Sequence, residues 1–203
     1  MRKLTMMAIT LLLTLSALSS TAMAQTTTKV KILPAQVEVG PPPVTFLLNV
    51  TVENVQLMAG YEIYISFNQN KLQCLDIVLP SDFVYAGKGY LETAKLIDND
   101  QGTIHYGVAT FPFYEFSGSG VLCQLKFNGT NIDGSDIIII TPEMGTTFYT
   151  QLLTKEATEI PYIAENGYVI IIPEFSNMLI ITFAFITSTI AASLSRKKSK
   201  NTD

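Results

Sequence analysis

Across residues 30–172 apolar side chains recur at every second position in short runs, and residues that turn a chain follow each run. A period of two puts alternate side chains on opposite faces of an extended strand, so this pattern confines the chain to β architecture. In the run 44–52, Val44, Phe46, Leu48, Val50 and Val52 share one face, and Thr45, Asn49 and Thr51 lie opposite. In 61–67, Tyr61, Ile63, Ile65 and Phe67 oppose Glu62 and Ser66. Runs at 72–79, 103–110, 121–127, 137–141 and 168–172 complete seven firm strands, with weaker ones at 30–33, 36–39 and 90–97.

The punctuation between these runs is Gly40-Pro41-Pro42-Pro43, Asn68-Gln69-Asn70, Asp98-Asn99-Asp100-Gln101-Gly102, Asp133-Gly134 and Asn166-Gly167. Each pairs residues that tolerate left-handed backbone or preset a turn. Many short strands at this spacing predict an all-β fold, two antiparallel sheets packed face to face. Residues 25–172 amount to 148 residues, enough for one domain with a real core. The chain has no tryptophan, so Phe and Tyr must supply the large core fillers.

Several segments are similar to a known family. They are Val37-Glu38-Val39-Gly40, Phe46-Leu47-Leu48-Asn49-Val50-Thr51-Val52-Glu53-Asn54-Val55, Gly60-Tyr61-Glu62-Ile63-Tyr64-Ile65-Ser66-Phe67-Asn68 and Leu72-Gln73-Cys74-Leu75. Asp98-Asn99-Asp100-Gln101-Gly102-Thr103-Ile104 and Ser119-Gly120-Val121-Leu122-Cys123-Gln124-Leu125-Lys126-Phe127 follow in the same order. Together, over about residues 30 to 140, they resemble a cohesin domain. The resemblance implies a nine-stranded jelly-roll sandwich related to carbohydrate-binding modules. It also implies a receptor role toward dockerin modules in polysaccharide-degrading assemblies, with the partner docking on an exposed sheet face. Here one copy stands alone, and its last strand runs almost directly into Pro173.

Both ends of the chain point out of the cytoplasm. Arg2 and Lys3 precede a Leu-rich apolar stretch, and Ala22-Met23-Ala24 leads to Gln25, the layout of a signal peptide over residues 1–24. At the other end an uncharged apolar run predicts a membrane-spanning helix over 176–195, of about the ~20 residues that cross a bilayer. The basic tail 196–203, with Arg196, Lys197 and Lys198, favours the cytoplasmic side. Pro173-Glu174-Phe175 before that helix resembles the PEF-CTERM sorting signals that archaeosortases process, in which the helix is cut away and a lipid or other anchor replaces it. An ordinary single-pass anchor is the alternative. Either reading fixes the ectodomain to the outer face of a cell membrane.

With the two ends set aside, the ectodomain keeps seven basic and fifteen acidic residues, a net charge of −8. That excludes nucleic acid, whose phosphates demand a basic surface. Catalytic constellations are scarce. His105 is the only histidine, no G-x-S-x-G turn presents a serine, and the cysteines lie at apolar strand positions. The chain therefore reads as a non-enzyme.

Cys74 and Cys123 form a disulfide or remain two buried thiols; both fit an exported β domain. Asn49 and Asn128 head N-x-Thr acceptors for glycosylation. Asp98 and Asp100 alternate with Asn99 before Gly102 like the first half of a calcium loop, although the residue expected to be a bidentate Glu is Ala109. The same cluster is also what a β-turn requires. Aromatics are the ligand-binding candidates: Phe111, Phe113, Tyr114 and Phe116 in one stretch, ahead of a flexible Ser117-Gly118-Ser119-Gly120, with Tyr85 and Tyr90 around Gly87-Lys88-Gly89; the alternative is that alternate rings plug the end of the sandwich. The expected function is a membrane-anchored binding module for a dockerin-like protein or a polysaccharide. A structural envelope or adhesion component is the alternative.

Overall fold

A computed structural model describes residues 27–173 and 185–187. Twelve strands form among the described residues. They are β1 (Lys29–Leu33), β2 (Gln36–Val39), β3 (Val44–Met58), β4 (Gly60–Phe67), β5 (Leu72–Val78) and β6 (Tyr90–Asp98). After them come β7 (Thr103–Thr110), β8 (Phe116–Gly129), β9 (Asp133–Ile139), β10 (Gln151–Leu153), β11 (Ile163–Glu165) and β12 (Gly167–Ile171).

Sheet A has the order β11-β1-β3-β8-β5, and sheet B has β2-β12-β9-β4-β7-β6 with β10 added beside β4. The alternation read from the sequence is the burial pattern: Tyr61, Ile63, Ile65 and Phe67 of β4 point inward, as do Ile104, Tyr106 and Val108 of β7. They meet Val50, Leu125 and Phe127 of sheet A in one continuous core. Phe67 packs edge-on against Phe127 across the two layers, with centroids 5.2 Å apart. Each large apolar side chain fully buried there contributes roughly 1.5–3 kcal/mol.

Four features differ from the sequence reading. The first is that the sheets are not wholly antiparallel. β1 pairs with β11 in parallel, and so does β2 with β12. The first and last strand pairs travel side by side and cross together from sheet A to sheet B. At the crossing Gly167 lies so close to Ile32 that a Cβ would overlap it. The second is that β10 and β11, three residues each, are additional strands, too short to show a period.

The third is that residues 117–120 are not a flexible linker but part of β8, near its start. β3 bulges there, with Asn54 and Leu57 at positive φ, which takes their N–H groups out of the ladder. Ser119 Oγ and Ser117 Oγ accept those two hydrogen bonds, at 3.1 and 2.9 Å. A further bulge where β3 meets Cys123 and Val121 turns both Leu122 and Cys123 inward. The last is that β9 starts at Asp133, so the Asp133-Gly134 turn belongs to the strand.

Of the predicted helix 176–195, only residues 185–187 are described, and they are helical. Among the described residues no helix is long and apolar enough to cross a membrane. The signal peptide, Glu174, Phe175 and the basic tail lie outside the described residues.

Candidate functional site

The two outer faces of the sandwich differ in chemistry. On sheet A, polar side chains satisfy one another: Lys31 bridges Glu53 at 2.8 Å and Glu165 at 3.0 Å, Lys29 reaches Glu165 at 2.7 Å, and Gln124 donates to Asn49 at 2.9 Å. On sheet B, register places Tyr64 beside His105 and His105 beside Leu96. Ala109 lies beside Leu91 on the same face. Leu91 and Leu96 are each 62 % exposed.

Sheet B also carries a groove of about 810 Å³. Its floor is the Tyr64 ring stacked on His105, with centroids 4.1 Å apart and planes at 13°. Leu96 stands on one side. On the other, Phe148 stacks on Tyr64 at 5.9 Å while remaining 67 % exposed. Phe148 arrives from residues 141–149, a loop between β9 and β10. Its ends close where Thr150 N–H donates to Ile140 O at 2.9 Å, as in the compact loops that proteins commonly use for contact. Burial and the adjacent Glu62 carboxylate push the Tyr64 phenol above its ordinary range. His105 Nε2 is 3.5 Å from Glu62 Oε2 and has no hydrogen-bond partner.

Asp98 and Asp100 lie on the rim of this groove. Asp98 Oδ1 accepts the N–H of Asp100 at 3.0 Å and of Gln101 at 2.9 Å, closing a turn that Gly102 completes at φ 65°. Asn99 is tied to β5 at both ends of its amide, Oδ1 to Cys74 N–H at 2.8 Å and Nδ2 to Cys74 O at 3.1 Å. The arrangement is that of a stapled β-turn. Among the described residues no group of three or more metal-ligating side chains occurs.

The aromatic candidates separate. Tyr85 is fully buried, stacks on Tyr61 at 6.0 Å and donates its hydroxyl to Met58 O at 3.2 Å, so it belongs to the core and not to a ligand surface. Phe116 is half-buried against that core. Phe111 and Phe113 are exposed at 74 % and 70 %. Phe111 N–H donates to Gly89 O at 3.0 Å, joining their loop to the one before Tyr90. Tyr114 lies under Lys88 Nζ at 4.5 Å, and Tyr90 packs edge-on against Phe83 at 5.0 Å. Tyr90, Phe111, Phe113 and Tyr114 thus share one end of the sandwich, opposite the end where β12 leads to Pro173.

Cys74 and Cys123 are separate buried thiols, with no disulfide between them. Burial pushes the Cys74 thiol up to about 12 and raises Cys123 further still. Asn49 and Asn128 both lie within strands of sheet A, half-buried. Pro173 is exposed.

Sequence reasoning missed the groove. His105 stands in the sequence only as a lone histidine without a catalytic partner, and Tyr64, Leu96 and Phe148 lie in separate runs. The available signal was an aromatic and a histidine on the polar register of two strands, positions that a core does not use.

The architecture is thus a two-sheet sandwich with a groove on the outer face of sheet B. No family model matches the sequence, and no curated protein does. Solved structures do: the architecture is that of cohesin domains. The chain is similar to CaCohA2 of Clostridium acetobutylicum, with a TM-score of 0.53 and 18 % identity over 71 % of this chain and 92 % of that one. It is similar to the non-cellulosomal cohesin of the hyperthermophilic archaeon Archaeoglobus fulgidus, at 0.53 and 15 % over 75 % and 96 %. The third ScaC cohesin of Acetivibrio cellulolyticus, solved in complex with the ScaB dockerin, matches at 0.56 and 14 % over 71 % and 99 %.

Proposed function

We propose that this chain is a non-catalytic binding module, held at the outer face of a cell membrane by its C-terminal segment, that captures a dockerin-type protein on the outer face of sheet B. The observation that carries the reading is the groove: sheet B opens the stacked Tyr64–His105 floor to solvent between Leu96 and Phe148, with Leu91 exposed on the same face. Contiguous exposed apolar surface bordered by polar groups is a mark of interaction sites. The lone histidine is stacked on Tyr64, and both thiols are buried and held protonated, which supports a binding role over catalysis. Export through residues 1–24, and either a retained helix or archaeosortase processing at Pro173, complete the proposal.

The test is retention of dockerin-type proteins and of insoluble polysaccharides by the full chain reconstituted in phosphatidylcholine nanodiscs. Leu91→Arg on sheet B should abolish retention of a protein partner, and Leu47→Arg, half-exposed on sheet A, should leave it intact. Retention of polysaccharide alone would replace the partner class, and equal loss in both variants would refute the assignment of the face.

A further inference from the structure

We infer that the groove between Leu96 and Phe148 is the anchor pocket of that face. It takes one large apolar side chain from a polypeptide segment that carries lysine or arginine beside it. This rests on the reading of sheet B as the docking surface and adds the chemistry of what docks.

The first ground is shape. Two exposed apolar side chains flank a floor of stacked rings, and the volume of about 810 Å³ lies within the range of formed ligand pockets. Apolar sockets hold the few side chains that dominate an interface.

The second ground is the state of the polar groups, which separates a side-chain anchor from a sugar subsite. A sugar needs several free donors and acceptors converging on its hydroxyls. Here Asn99 uses both ends of its amide on Cys74, Thr146 Oγ1 donates to Phe148 O at 2.8 Å, and Asp98 Oδ1 is engaged by two backbone N–H groups. His105 Nε2 is itself buried, 3.5 Å from Glu62 Oε2, and so presents no donor at the groove surface to a sugar hydroxyl.

The third ground is charge. Asp98 and Asp100 line the groove, no lysine or arginine does, and among the described residues neither carboxylate is in an ion pair. Complementary charge at the rim of an apolar socket selects a partner and speeds its arrival.

The chain contains no tryptophan, so the emission of a tryptophan in a probe peptide is read without background. The probe is a capped Ala-Lys-Trp-Lys-Ala peptide, titrated with the full chain in phosphatidylcholine nanodiscs against empty discs. The expected result is a saturable blue shift, weakened at least tenfold by Phe148→Ala, by Leu96→Asp, or by glutamate in place of the peptide lysines, and unchanged by Leu47→Arg. Phe148 and Leu96 are exposed enough for these variants to fold.

A shift that is absent, equal in Phe148→Ala, equal with the glutamate peptide, or displaced by cello-oligosaccharides overturns the inference. The dockerin-type panel separates the two levels. A panel protein lost on Leu91→Arg but held equally by Phe148→Ala sinks the anchor pocket and leaves the face reading standing. The expected peptide response with no panel protein retained supports the pocket and sinks the dockerin reading.

Discussion

Thr150 fastens the middle of β4: its hydroxyl accepts the Tyr64 N–H at 2.9 Å and donates to the Tyr64 carbonyl at 3.1 Å. With Ile140 N–H, which donates to the same carbonyl at 2.9 Å, this fully buried side chain bridges the β4 edge between the end of β9 and the start of β10. Thr150→Val keeps the shape and leaves the Tyr64 N–H unpaired, a loss of about 1–3 kcal/mol. Urea unfolding should show it as a lower midpoint with unchanged slope, and Thr150→Ser should recover most of it.

Tyr61 donates its hydroxyl to Leu122 O at 2.7 Å, at the bulge that turns both Leu122 and Cys123 inward. Tyr61→Phe keeps the ring and leaves that carbonyl unsatisfied, and should cost about 1–2 kcal/mol. A thermal melt is the measurement, and an unchanged midpoint would remove the hydroxyl from the account of core stability.

Burial pushes the Tyr61, Tyr85 and Tyr106 phenols well up and Tyr162 to about 12. Below about pH 10 these groups are neutral in both states and do not alter stability. Above it the unfolded chain ionises first, so the folded state binds more protons and stability falls as pH rises. Absorbance at 295 nm should show the exposed tyrosines titrating reversibly and the buried group only together with unfolding. Ordinary titration of all nine tyrosines in folded protein would contradict this.

With its thiol held up to about 12 by burial, Cys74 should be inert to Ellman's reagent at pH 8, and so should Cys123. Two thiols should react once guanidinium unfolds the chain. No reaction in denaturant would mean a disulfide and a different structure around β5 and β8.

Asn99→Asp removes the Nδ2 donor from Cys74 O and places a carboxylate against it. A loss of about 1–3 kcal/mol is expected. Because the Asp98–Gly102 segment is closed by its own hydrogen bonds, calcium and chelator should leave the wild-type melting temperature unchanged. A rise on adding calcium would restore Asp98 and Asp100 as metal ligands.

The sequence was most legible where a side chain's direction alone decides its fate. Tyr61, Ile63, Ile65 and Phe67 had to face inward together once 61–67 was a strand, and the register of β4 follows from them. It was silent where fate depends on a neighbour from elsewhere in the chain. Ser117 and Ser119 look like linker residues until the bulged β3 presents N–H groups to them. Tyr85 looks exposed among glycines until Val84 N–H hydrogen-bonds to Val121 O at 2.9 Å and draws the segment into the core. The groove draws Tyr64, Leu96, His105 and Phe148 from four separate segments, and no local pattern links them.

The position of β12 has a mechanical consequence. It is an interior strand, paired over four residues with β2 and over five with β9, and the chain leaves it directly at Pro173. Ladder hydrogen bonds lie across a strand, so tension applied at the C-terminus runs along β12 and loads both ladders at once in shear. An edge strand would peel away one bond at a time. A chain pulled from Pro173 while a partner grips sheet B would therefore resist as a clamped splice, bearing the force through the same sheet that bears the load.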